Sequence, residues 1–326
     1  MKRRLVSCGL ACVSLLGIWP VAAMAQDWPA RTVRIVVPFA PGGAVDFMAR
    51  ELAQGLSMRL GKTFVVDNRP GASGVIGVDA VAKAPADGYT IVLANTGAIA
   101  ISPHINKAMP YDALKDLVAV SAVAKVTNVM VVPSSFAARS VKQFIAIAKA
   151  APGKINFASS GVGASDQMAA EQFMAMAGIR MTNVPYKGGG PAMIDVLSGN
   201  VDVIFSTFPP AVPYMKSGKL RALGVTSATR LEIAPDVPTI AEAGVPGYES
   251  DAWYGVFAPA GTPPAIVTAL NAEITAVLQD PALQKRLLEG AAAKTFTSSP
   301  KVFATFVAGE SKRWQKIVQA SGIVGE

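Results

Sequence analysis

Thiol chemistry is missing from nearly all of this chain. Its two cysteines, Cys8 and Cys12, both lie close to the N-terminus, so the remainder has no thiolate nucleophile, cysteine metal ligand or disulfide. Histidine is scarcer still. His104 stands alone, and any Ser–His–Asp arrangement would have to use it. Its context, Ser102-Pro103-His104-Ile105, reads as a loop, and no G-x-S-x-G elbow accompanies it. One histidine without cysteine in the mature chain leaves a zinc site unsupported, and no G-x-x-x-x-G-K-[ST] phosphate loop occurs. Basic runs with interleaved aromatics are absent, which argues against a nucleic-acid partner. After the first residues, no apolar run is long and uncharged enough to span a bilayer. These absences point away from catalysis and toward binding.

What is present begins with a leader. Lys2-Arg3-Arg4 makes a basic start, residues 5–21 an apolar stretch, and Ala23-Met24-Ala25 a small-x-small pattern before Gln26. The expectation is a signal peptide over 1–25, cut after Ala25, and an exported protein. A retained membrane anchor is the alternative, disfavoured by the A-x-A ending and Pro20. Leu5-Val6-Ser7-Cys8 leaves too little apolar chain ahead of it for lipid attachment. The leader carries three basic residues, so the formal net charge of +8 drops to +5 without it. That modest balance slightly favours acidic small-molecule partners. A mature chain of this length without disulfides must rest on an apolar core, and its length suits two domains.

Strand and helix patterns alternate from residue 33, the signature of an α/β fold. The spacing predicts helices over 44–60, 75–82, 141–150, 167–177 and 192–197. Strands are expected at 34–37, 63–66, 89–94, 129–132, 155–158, around 184, and at 201–205, 220–226 and 253–258. The C-terminal third turns helical over 264–278, 281–289 and 300–320, each helix opening on proline, whose missing N–H costs nothing in a first turn. The order suggests one lobe from 26–124 plus 228–326 and a second from 125–227, with crossings near 121–128 and 227–247. Two connections permit hinge bending while limiting free tumbling.

One device occurs twice: apolar strand, glycine-rich turn, helix. The first turn is Phe39-Ala40-Pro41-Gly42-Gly43, and the second is Ser159-Ser160-Gly161-Val162-Gly163. At an offset of 120 positions Gly43, Ala44, Asp46, Met48, Ala49 and Glu51 match Gly163, Ala164, Asp166, Met168, Ala169 and Glu171. Such a turn presents unpaired N–H groups and the positive end of a helix dipole, which suits an anion. Glycine also serves tight turns with no ligand at all. Asp46 and Asp166 fall in first helical turns, where a carboxylate either caps local N–H groups or receives a ligand ammonium or hydroxyl. Asn95 and Thr96 follow a strand end and are candidate polar contacts. A third glycine run, Tyr186-Lys187-Gly188-Gly189-Gly190-Pro191, offers Lys187 as a positive charge or a merely exposed one. Trp253 and Tyr254 are core residues or a ligand platform. Gly161-Val162-Gly163 begins like a dinucleotide fingerprint, but Asp166 stands where the last glycine belongs.

Longer motifs carry a family resemblance. Pro38–Asp46 (P-F-A-P-G-G-A-V-D), 65–77 (V-V-D-N-R-P-G-A-S-G-V-I-G), 84–90 (A-P-A-D-G-Y-T) and 185–192 (P-Y-K-G-G-G-P-A) resemble the Bug-type receptors of tripartite tricarboxylate transporters. So do 199–202 (G-N-V-D, whose Asp202 is a candidate ligand contact), 236–244 (D-V-P-T-I-A-E-A-G) and 253–263 (W-Y-G-V-F-A-P-A-G-T-P). The match runs in order along nearly the whole mature chain. It implies a type II-like periplasmic binding protein fold of two α/β lobes, with no catalysis, cofactor or metal. It also implies a small organic carboxylate in the cleft and transient contact with membrane transporter subunits; a monomer is the expectation for the assembly. The ligand carboxylate would be held by backbone N–H groups and ordered water at 39–43 and at 160–165, the latter including Ser160, Gly161, Gly163, Ala164 and Ser165. Relatives often have a small polar residue and then histidine where this chain has Asp166-Gln167. That departure favours a ligand with a donor group near Asp166. An exported receptor feeding a sensor kinase is the alternative to transport, and a carboxylate-ester hydrolase is disfavoured by the single histidine.

Overall fold

Runs of β-branched and other apolar residues supply the strands of two separate sheets. The computed structural model describes residues 28–161, 163–186 and 188–321, so the expected leader, Val162 and Lys187 lie outside the described residues. The chain opens with β1 (Val33–Val37), α1 (Ala44–Leu60), β2 (Phe64–Asn68), α2 (Val75–Ala82) and β3 (Thr90–Asn95). A π-helical turn, Gly97–Ile101, runs into the short α3 (Ser102–Ile105), and β4 (Leu117–Val126) follows. His104 therefore stands in a helix rather than a loop.

The middle third adds β5 (Asn128–Pro133), α4 (Val141–Ala150), β6 (Asn156–Ser159), α5 (Ser165–Ala177) and β7 (Thr182–Pro185). It continues with α6 (Gly189–Leu197), β8 (Val203–Thr207), α7 (Phe208–Lys216) and β9 (Leu220–Val225). The chain then returns through β10 (Ala252–Pro259), α8 (Pro264–Leu278), α9 (Pro281–Ala291), β11 (Ala293–Thr295) and α10 (Pro300–Ser321).

The first sheet has the order β11-β4-β10-β3-β1-β2, and the second β7-β6-β8-β5-β9. In the first, β1 runs parallel to β2 and β3 while β10 lies antiparallel between β3 and β4. The second repeats that plan: β6 is parallel to β7 and β8, and β5 is antiparallel to β8 and β9. Helices cover both faces of each sheet, as parallel strands joined by crossover helices require.

Helical spacing explains the packing. In α1 the buried residues Val45, Met48, Ala49, Leu52 and Leu56 form one stripe against the first sheet. Burying a side chain the size of Met48 or Leu52 contributes about 1.5–3 kcal/mol. The helix stops at Gly61, whose φ of 61° is left-handed and costs glycine little. In α5, Ala169, Ala170 and Phe173 pack on the second sheet, whereas Met168 is buried in a cluster of the first. One helix thus contacts both cores.

Only Thr127 separates β4 from β5, while residues 226–251 carry the chain back from β9 to β10. The stretch 121–126, expected in the crossing, is part of β4 and pairs with β10. Its alanines, Ser121 and Lys125 mask a strand that lies in the middle of the sheet, between β10 and β11. Thr226 joins the two connections. Its hydroxyl accepts the Asn128 N–H (2.9 Å), its own N–H donates to Asn128 O (2.9 Å), and its carbonyl accepts Ser250 N–H (3.0 Å).

Candidate functional site

Carboxyl ends of strands from both sheets meet at a cleft of about 890 Å³. From the first sheet come the turn after β1, with Phe39, Pro41, Gly42 and Gly43, together with Asn95, Gly97 and Tyr254. From the second come Ser160, Gly163, Ala164, Ser165 and Asp166 before and within α5, Ser206 and Thr207 ending β8, and Gly188–Gly190 opening α6. Asn128, the first residue of β5, also lines it. The two glycine-rich turns therefore face one space, as ligand sites at strand carboxyl ends of α/β sheets do.

The turns are not open arrays of donors, however. Asp46 turns back and accepts the Gly42 N–H at 3.0 Å, fixing a turn in which Gly42 has φ +88°. Arg50 grips the same carboxylate through Nε (3.0 Å) and Nη2 (2.9 Å), and Asn68 Nδ2 donates at 3.0 Å. Burial pushes the Asp46 carboxyl up, but the bonds from Arg50, Gly42 and Asn68 outweigh it and hold the group below its ordinary value. Asp46 is buried and does not line the cleft, so its role is to shape the turn.

The second turn is closed by two side chains. Asp166 Oδ2 accepts Ser160 N–H (2.7 Å), while Oδ1 accepts Ser160 Oγ–H (2.9 Å) and Gln167 N–H (2.8 Å). Gln167 Oε1 takes the Gly163 N–H at 2.8 Å. Burial drives the Asp166 carboxyl up to about 6, against the hydrogen bonds from Ser160 and Gln167. Unlike Asp46 it lines the cleft. The expected amide donors at Gly42, Ser160 and Gly163 are thus committed within the chain. Donors that remain by helix geometry include the first-turn N–H groups of α1 at Ala44 and Val45, that of Ser165 in α5, and those of Gly189 and Gly190 in α6, all cleft residues.

Several other expected site residues are placed elsewhere. Thr96 is buried and ties β3 to β10, its hydroxyl accepting Trp253 N–H (2.9 Å). Asp202 accepts Asn156 N–H (2.8 Å) at the amino end of β6, the end opposite the cleft. Gly161, with φ +140°, is absent from the lining, and its carbonyl accepts Ala164 N–H (3.2 Å). Lys187 lies outside the described residues. Asn95 does line the cleft, its Oδ1 accepting Ala98 N–H (3.2 Å).

The sequence reading missed Asn128, Ser206, Thr207 and the loop Pro70–Gly74, all cleft residues. A polar pair, Thr127-Asn128, interrupting two apolar runs was the one available signal. Tyr254, read as core or platform, is both: it is 4% exposed and lines the cleft. Burial raises the pKa of its hydroxyl, and the charge of Asp166 adds to the rise. His104 Nε2 lies 2.9 Å from Ser311 Oγ on α10, away from the cleft lining, and burial lowers its pKa. Among the described residues no group of three His, Cys, Asp or Glu could hold a metal ion. No helix among them is long and apolar enough to cross a membrane.

Two α/β units joined by a double crossing, with a cleft between strand carboxyl ends, define a periplasmic binding protein fold. The chain belongs to the tripartite tricarboxylate transporter receptor family, whose sequence profile matches residues 48–323. It is 40% identical to Protein BugT of Bordetella pertussis over 307 residues, which cover 93% of this chain and 92% of that protein. A solved structure of R. palustris Rpa4515 with adipate superposes with TM-score 0.84 at 39% identity, covering 91% of this chain and 99% of the other. MatC (Rpa3494) from Rhodopseudomonas palustris with bound malate gives TM-score 0.79 at 31% identity, covering 89% and 100%.

Proposed function

We propose that this protein is a solute receptor that captures a small organic carboxylate in the cleft and delivers it to membrane transporter subunits. The supporting observation is the donor balance of the cleft. Helices α1 and α5 aim their N-termini into it, while no lysine, arginine or histidine is among its described lining residues. A carboxylate is then held by first-turn amides, the Ser165 hydroxyl and ordered water, without a fixed counter-ion. Relatives solved with adipate and malate support the same ligand class. The family assignment supports transport over signalling.

In this reading 1–25 is the signal peptide and the mature protein works in the periplasm as a monomer. Residues 26–124 plus 228–326 form one lobe and 125–227 the other. Binding draws the lobes together, and the membrane partner recognises the closed form. No bond is made or broken.

Isothermal titration with matched pairs of a carboxylate and its methyl ester tests this. The expected result is one-to-one binding of at least one acid and loss of binding for its ester. Equal binding of acid and ester, or turnover of the ester, overturns it. Intact mass of the exported protein is expected to place its N-terminus at Gln26.

A further inference from the structure

We propose that Asn128 determines specificity in the cleft, and that the ligand is a monocarboxylate whose far end carries a neutral hydroxyl or carboxamide. The proposal rests on the carboxylate-receptor reading and goes beyond it in naming the second end of the ligand.

Asn128 is fully buried and lines the cleft, yet neither its Oδ1 nor its Nδ2 has a hydrogen-bond partner. Its backbone cannot move to find one. The N–H and C=O are both bonded to Thr226, and the residue is registered opposite Thr207 in β8. Each buried polar group left unpaired costs about 1–3 kcal/mol. The rest of β5, Val129 to Val132, is wholly apolar and buried, so a leucine or valine would serve packing as well. An amide there is explained by a partner arriving through the cleft.

The chemistry of that partner follows from the inventory of donors and acceptors. Carboxamide Oδ1 needs a donor and Nδ2 needs an acceptor. A hydroxyl or a carboxamide supplies both, a carboxylate supplies only acceptors, and an alkyl end supplies neither. Charge points the same way. Asp166 is the one carboxylate among the described lining residues, and no cation stands among them to balance a second one brought by the ligand. A dianion would meet Asp166 in a confined space, with burial penalising both charges.

The test uses matched four- and six-carbon acids differing only at the far end: butanoate, 4-hydroxybutanoate, succinamate and succinate, with hexanoate, 6-hydroxyhexanoate, adipate monoamide and adipate. Titration calorimetry of the mature protein is expected to rank the hydroxy- or amide-ended member of one set about tenfold or more above its alkyl and dianionic counterparts. Asn128→Leu is expected to erase that preference while the alkyl acid still binds. A dicarboxylate binding tightest, or an unchanged ranking in Asn128→Leu, overturns the proposal. Should Asn128→Leu fail to fold by circular dichroism, the wild-type ranking decides alone. Binding of none of the eight acids overturns this proposal alone, while the receptor reading stands or falls on the acid and ester pairs.

Discussion

Asp46 and Asp166 occupy the same step of two matching strand–turn–helix units, and the chain uses them differently. Asp46 has Arg50 one helical turn on, plus Asn68 from β2, so its charge is answered inside the first unit. The position matching Arg50 in the second unit is Ala170, which is fully buried against the second sheet. Asp166 is left with neutral donors only, beside the cleft. The two carboxylates consequently move in opposite directions from their ordinary value, the first down and the second up to about 6. A repeated layout can thus carry two jobs: one carboxylate holds a turn rigid, and the other adds a negative charge to the binding wall.

Removing Asp46 should hurt most. Asp46→Ala leaves the Gly42 N–H and the Asn68 amide without their shared acceptor, and a loss of about 2–4 kcal/mol is expected in urea unfolding. The Arg50 pair itself adds little, because the guanidinium is largely solvated. A loss under about 1 kcal/mol would show that the turn does not depend on this carboxylate.

Acid titration separates the pair next. The folded state holds a proton on Asp166 up to about pH 6, above the unfolded value. Its contribution therefore favours folding most at low pH and is lost as pH rises from about 4 to about 6, on the order of 3 kcal/mol. Asp46 has the opposite sign: its stabilisation is present above its ordinary pKa and disappears as pH falls through the lowered one. Asp166→Asn should flatten the first slope and Asp46→Asn the second, read from urea midpoints across pH. Identical slopes in the two variants would erase the distinction.

The smallest contrast lies in the glycines of the first turn. Gly42 has φ +88°, so Gly42→Ala should cost about 1–2 kcal/mol through backbone strain alone. Gly43 has φ −85° with nothing near the position of an added Cβ, so Gly43→Ala should stay within about 0.5 kcal/mol. Thermal melts of both variants decide it.

Elements with strong periodicity and end signals were legible. The bounds expected for α1, α2, α4 and α8 coincide with the observed ones, because each combines a regular apolar stripe with glycine, serine or proline at an end. Helix α7 has no counterpart among the expected elements: proline at 209, 210 and 213 obscures any helical pattern, although two of them sit in its first turn. At the site, the two turns were visible as glycine patterns. Which of their amides were already taken was not, because that depends on where Asp46, Asp166 and Gln167 swing back in three dimensions. Thr96 and Asp202 were expected as ligand contacts, but bonds to Trp253 and Asn156, distant in sequence, tie them into the framework.

Met168 has a consequence for how such a receptor opens. It belongs to a helix of the second sheet but is seated among side chains of the first, and the Gly163 carbonyl lies 3.3 Å from where a Cβ on Gly97 would stand. Swinging α5 away from the first sheet means unseating that thioether and wetting its socket, at about 1.5–3 kcal/mol. The proposed opening would therefore have to part a greasy clasp that never touches the solute.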